Sequence, residues 1–172
     1  RPGATSLDEL DRACRHHGFF LLQGHGLDHV IDDTFSAARR FFDADPSVKD
    51  DVRRDARVAL GYNDRELTKR RRDHKEVFDF VDPTLGRAAH HNRWPAVDGF
   101  WDAMCAHYDA FSVLAARATE LVFSALGLST TSVDGHRGDR KILASLARPR
   151  RRHAAVAGVR AVRRAQAFSW KW

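Results

Sequence analysis

His17-Gly18-Phe19-Phe20-Leu21-Leu22-Gln23-Gly24-His25-Gly26-Leu27 is the stretch on which the fold turns. Four apolar residues between glycines are too few for a helix. They read as a buried strand that a turn at Gly24-His25-Gly26 brings to an end. On its N-terminal side, residues 6–17 are predicted helical. Ser6 and Glu9 have capping-box spacing, Leu7, Leu10, Ala13 and Cys14 share one face, and Gly18 supplies the stop. On its C-terminal side, residues 28–43 form a second predicted helix, with Val30, Ile31, Thr34, Phe35, Ala38, Phe41 and Phe42 recurring at helical spacing. Asp45-Pro46 restarts a helical turn, Asp as cap and Pro in the first position.

Residues 50–75 are highly charged, and Leu60-Gly61-Tyr62-Asn63 within them reads as a turn or bend. Val77-Phe78-Asp79-Phe80-Val81 alternates as a short strand does, and Asp82-Pro83 closes it. Residues 98–126 give the strongest helix signal. Asp98 is the expected cap, and Phe100, Met104, Phe111, Leu114, Ala118, Leu121, Val122 and Ala125 form an apolar stripe that Gly127 ends. The two long helices are expected to pack through Phe35, Phe42, Phe111 and Leu121.

Length and composition bound the rest. The chain has 172 residues with 43% hydrophobic and 30% charged, an ordinary single-domain make-up. No apolar run is long enough for a membrane span, and no secretory signal is evident, so a reducing cytoplasm is the expected compartment. Cys14 and Cys105 make neither a disulfide framework nor a CxxC metal site. The net charge of +6 is unevenly spread. Residues 136–172 carry eleven Lys/Arg against one acid, net +10, while 1–135 carry 18 against 22, net −4. Residues 1–135 are therefore read as the folded domain. Residues 136–172, rich in Arg and Ala with no strand-like series, are read as a basic tail that is either disordered or the product of a shifted reading frame.

Taken in order, these pieces resemble the N-terminal domain of the isopenicillin N synthase-like family of non-haem Fe(II)/2-oxoglutarate-dependent oxygenases. His17–Leu27 is similar to that family's glycine–phenylalanine strand and turn. Ala37-Ala38-Arg39-Arg40-Phe41-Phe42, with the Pro-led turn ending in Lys49, follows it. Gly61-Tyr62 and then Asp73-His74-Lys75-Glu76-Val77-Phe78-Asp79-Phe80 resemble the next stretch. Asn92-Arg93-Trp94-Pro95 with Phe100 resembles the entry into the long helix, and Leu126-Gly127-Leu128 its exit. The resemblance covers residues 6–132.

It implies an α+β, mainly helical fold: the N-terminal domain of a 2-oxoglutarate oxygenase without the double-stranded β-helix core. The family holds iron with a His-x-Asp pair and a later His on that core, leaving positions open for oxygen and the oxo acid, and it holds 2-oxoglutarate with an Arg-x-Ser pair. This sequence contains no Arg-x-Ser. Its one His-x-Asp, His107-Tyr108-Asp109, falls in the long predicted helix, where i and i+2 point apart; on a strand they would share a face. His107 and Asp109 are therefore read as ordinary helix residues. His16-His17, His25 with His29, and His90-His91 lack partners at metal-ligand spacing.

The expected function is thus the non-catalytic N-terminal portion of an oxygenase acting on a small molecule, inactive alone, with no catalytic or metal residue of its own. Fe(II) and 2-oxoglutarate are implied for the intact family. Tyr62 and Asn63 are the candidates for a wall of the substrate pocket, against the alternative of a turn with a packed Tyr. Lys75-Glu76 reads as a solvated edge, against the alternative of a functional pair. Two other functions stay open: a non-catalytic helical interaction module, and a nucleic-acid binder acting through the basic tail. The second is disfavoured by the acidic body and the lack of interleaved aromatics in 137–164.

Overall fold

The structure, a computed structural model, describes residues 4–65, 67–68, 71–72, 75–84, 91–129, 143–149 and 167–171. Its elements are α1 (Ala4–His16), α2 (Asp28–Asp43), α3 (Pro46–Asp51), β1 (Gly61–Asn63), β2 (Leu67–Thr68), β3 (Arg71–Arg72), β4 (Lys75–Phe80), α4 (Phe100–Ala125), β5 (Leu143–Pro149) and β6 (Ala167–Lys171). They fall into two compact units. One is 1–30 with 109–140, the other 31–108 with 141–172.

In the first unit α1 starts at Ala4, so Ser6 lies inside the first turn and not at the position before it. The predicted stop holds. Gly18 takes φ +74, and its N–H and that of His17 both bond to the carbonyl of Ala13, a left-handed cap that glycine adopts without steric cost. The strand expected at Phe19–Leu22 is not formed. The segment joins no ladder among the described residues, and Phe19 and Leu21 are 67% and 85% exposed. Apolar character alone did not bury it, because a strand needs a neighbour to satisfy its backbone.

The second unit holds the hydrophobic core. α2 keeps its predicted limits and buries Ala37, Ala38, Phe41 and Phe42. α3 starts as expected, with the Asp45 carboxylate accepting from the N–H of Ser47 at 2.8 Å and Pro46 in the first turn. Phe41, Phe78 and Phe100 form a triangle with each pair of ring centroids 5.2 Å apart. Geometries of this kind add to the area buried by each ring. The rings of Tyr62, Phe80 and Trp94 extend the cluster.

Helix packing differs from expectation in detail. Phe42 is buried, whereas Phe35, Phe111 and Leu121 are only half-buried. The core side of the long helix is its N-terminal end, Phe100, Met104, His107 and Tyr108. Asp98 is not its cap. Gly99 at φ +69 sits at the junction, its carbonyl accepts the N–H of Ala103, and the carbonyl of Asp98 instead accepts from Arg40.

A four-stranded antiparallel sheet in the order β1-β4-β5-β6 underlies the core, beside a two-stranded β2-β3 pair. Residues 61–63, read from the sequence as a bend, are its first strand. Glu76, Phe78 and Phe80 alternate with Val77 and Asp79, yet all five are buried, which means both faces of β4 are covered. Two of its strands come from the basic segment, where none was expected. β5 pairs with β4 from Lys75↔Pro149 to Phe80↔Ala144, and Leu146 joins the core at 2% exposure. Its run Leu143-Ala144-Ser145-Leu146-Ala147 lacks the β-branched residues that mark a strand. The rest of the expected tail lies outside the described residues. No described helix is long and apolar enough to cross a membrane.

Candidate functional site

The predicted wall residues Tyr62 and Asn63 sit on β1, and their strand is tightly seated. Residues 52–54 run alongside it. The N–H of Tyr62 donates to the carbonyl of Val52 at 2.8 Å, and the N–H of Arg54 to the carbonyl of Tyr62 at 2.9 Å. This approach requires Gly61. A β-carbon there would lie 2.2 Å from the carbonyl oxygen of Val52, and the φ of +104 excludes most L side chains besides.

Tyr62 and Asn63 point to opposite faces, as neighbours on a strand must. Tyr62 faces the core at 1% exposure. The Arg53 guanidinium lies 5.0 Å from its ring centre and the Lys49 ammonium 5.8 Å. Its hydroxyl donates to Glu76 Oε2 at 2.8 Å. Asn63 is buried on the other face. Its Oδ1 accepts from the N–H of Arg65 at 3.2 Å, but its amide nitrogen has no hydrogen-bond partner among the described residues. An unmet buried donor costs about 1–3 kcal/mol, so this group is one for which a function must be sought.

Glu76 is the centre, and the sequence favours the wrong one of its two readings. It was read as part of a solvated edge, whereas it is 5% exposed. The cause is that β4 has neighbours on both edges, which leaves alternation to carry Glu76 onto the core face. Its Oε2 takes Tyr62 and, at 3.3 Å, the Lys49 ammonium; its Oε1 takes Arg148 at 3.3 Å. Lys49 also bonds the carbonyl of Phe42 at 3.0 Å. Arg148 reaches the same carbonyl and the Asp43 carboxylate, its guanidinium 5.2 Å from the Phe42 ring centre. The only sequence signal was Glu76 standing in phase with Phe78 and Phe80.

Around β1 lies a belt of ion pairs. Arg53 binds Asp64 at 2.6 Å, Arg54 reaches Asp79 at 3.5 Å, and Arg93 binds Asp55 at 2.6 Å. The Arg93 hydrogen bond, helped by the backbone N–H groups of Val58 and Arg57, pulls the Asp55 carboxyl down to about 2. Asn92 explains its place in the motif before Trp94. Its amide accepts from the N–H of Val81 and donates to the carbonyl of Val81, both at 2.9 Å, and so terminates β4.

The described residues do not form the iron site that the resemblance implies. His107 is buried, with Nδ1 3.3 Å from the Thr34 hydroxyl, and burial pushes its pKa down to about 4. Asp109 is exposed. They share no face, as the helix geometry required. Buried on the core side of α4, His107 is nonetheless more than the ordinary helix residue expected. His16, His17, His29 and His91 are exposed and His25 is half-buried, its Nδ1 accepting from the N–H of Leu27; His90 lies outside the described residues. Among the described residues, no three His, Cys, Asp or Glu side chains gather to hold a metal. The first unit carries a separate apolar cavity of about 300 Å³, lined by residues including Leu7, Leu10, Phe20, Leu22 and Leu121.

A family model described as "non-haem dioxygenase in morphine synthesis N-terminal" matches residues 3–97, more than half of the chain. A 2-oxoglutarate-dependent dioxygenase of Didymella fabae is 42% identical over 48 residues, 27% of this chain and 14% of that relative. Among solved structures, JOX2 in complex with 2OG, Fe and JA superposes with a TM-score of 0.68 at 21% identity, over 82% of this chain and 43% of that one. A 2OG-Fe(II) oxygenase family protein from Caulobacter crescentus gives 0.68 at 19% identity, over 84% and 52%. The chain thus spans about half the length of these structures, and its matched stretch only 14% of the curated relative.

Proposed function

Because the chain belongs to the non-haem dioxygenase N-terminal family of the 2-oxoglutarate-dependent oxygenases, we propose that these residues are the scaffold portion of such an enzyme and do not themselves form its metal site. In the intact enzyme, O2 would oxidise a small molecule while 2-oxoglutarate is decarboxylated. This chain's part is to seat β1 as one wall of the substrate pocket. Asn63 offers the amide donor to that pocket, and Tyr62 anchors the strand from behind.

The observation that carries the reading is the state of the one His-x-Asp sequence. His107 is turned inward onto Thr34 and Asp109 outward, and no Arg-x-Ser exists to hold an oxo acid. No step of oxygen chemistry is therefore assigned to these residues. Calorimetric titration of the purified chain with Fe(II), paired with an assay of 2-oxoglutarate consumption, tests this. Background binding and no turnover are expected. Stoichiometric iron at micromolar affinity, lost in His107→Ala, would overturn the proposal.

A second reading, a non-catalytic interaction module, is favoured by one feature: the exposed apolar segment Phe19–Leu22, since exposed apolar patches mark binding surfaces.

A further inference from the structure

We infer that Arg148 is a positioning residue for the β1 wall, acting through Glu76 on Tyr62, and that strand β5 is thereby a working part of the scaffold. This rests on the reading of β1 as a pocket wall.

The two oxygens of Glu76 divide the work. Oε1 is held by Arg148, while Oε2 receives the Tyr62 hydroxyl and the Lys49 ammonium. Arg148 lies directly across the ladder from Glu76. Its planar fork also bonds Asp43 and the carbonyl of Phe42, at the C-terminal end of α2. That fork therefore fixes the carboxylate against both β5 and α2 and sets the direction in which Oε2 faces Tyr62.

Without Arg148 the carboxylate keeps Lys49 as its one cation among the described residues and is free to rotate toward it. The Tyr62 hydroxyl then loses a well-placed acceptor, and β1 loses its anchor on the core side. Lysine at 148 would restore charge but not the planar, several-point grip. A tail appended to the domain has no reason to carry both a core residue, Leu146, and the arginine that completes a buried carboxylate's shell. Residues 143–149 accordingly belong to the same fold as β4.

Ring-labelled tyrosine NMR on the full chain tests the inference. Tyr62 and Tyr108 are the only two tyrosines, and Tyr62→Phe assigns them. In Arg148→Met, the Tyr62 resonance should shift and its hydroxyl proton should exchange roughly tenfold faster, with Tyr108 unchanged as the reporter of an intact core. Arg148→Lys should fall between the two. A Tyr62 signal identical to wild type in folded Arg148→Met would overturn the inference. Should that variant not fold, an unshifted Tyr62 in Arg148→Lys would overturn it instead. The readout needs no substrate, so its failure leaves β1 standing as a wall; failure of Asn63→Ala to alter substrate affinity in an intact enzyme would remove the wall alone.

Discussion

Two short segments, Phe19-Phe20-Leu21-Leu22 and Val77-Phe78-Asp79-Phe80, are both expected from the sequence to be strands, the first as an apolar run between glycines and the second by its alternation. The second is strand β4, buried on both faces between β1 and β5. The first is unpaired among the described residues and largely exposed. What separates them is partners, not local preference. An extended run becomes a buried strand only when neighbours satisfy its backbone and cover its side chains.

Stability measurements should expose that difference most strongly. Phe78→Ala removes one corner of the Phe41–Phe78–Phe100 triangle and should cost roughly 3–5 kcal/mol in urea unfolding. Leu21→Ala, the matching truncation in the other run, should change stability by no more than about 0.5 kcal/mol. Similar losses at the two positions would break the comparison.

A smaller effect tests how dry the core of the second unit is. Burial depresses the His107 pKa in the folded state to about 4, against an ordinary 6.5. Between these values the unfolded chain binds the extra proton, so the contribution is complete above pH 6.5 and is lost as pH falls toward 4. The loss amounts to roughly 3 kcal/mol at most. His107→Gln should flatten the stability profile in that window. Asp55, depressed to about 2 by Arg93, acts separately, below pH 4. A wild-type profile already flat from pH 7 to 4 would show that His107 is hydrated.

The fold was legible where one element carries its own signal. Helix periodicity gave α2 its limits and placed the long helix within two residues at its start and one at its end. The Pro46 restart and the Gly18 stop are local chemistry and were readable. Pairing was not. Gly61-Tyr62-Asn63 looked like a bend because three residues are too few to show alternation, and its strand character comes from Val52–Arg54 and β4. β5 was hidden by its alanines and by the arginines around it. On β1, Tyr62 and Asn63 are the wall residues the sequence proposes, and their opposite facing was not readable there. The burial of Glu76 depended on Lys49 and Arg148, 27 and 72 residues away along the chain, a convergence no local pattern encodes.

Amide hydrogen exchange, read residue by residue on the intact chain, tests the central contrast most directly. The account predicts that Val77–Phe80 exchange at least roughly a thousandfold more slowly than free peptide, while Phe19–Leu22 exchange close to the free-peptide rate. Comparable protection of both runs would contradict it, since the first run would then have found a partner within this chain.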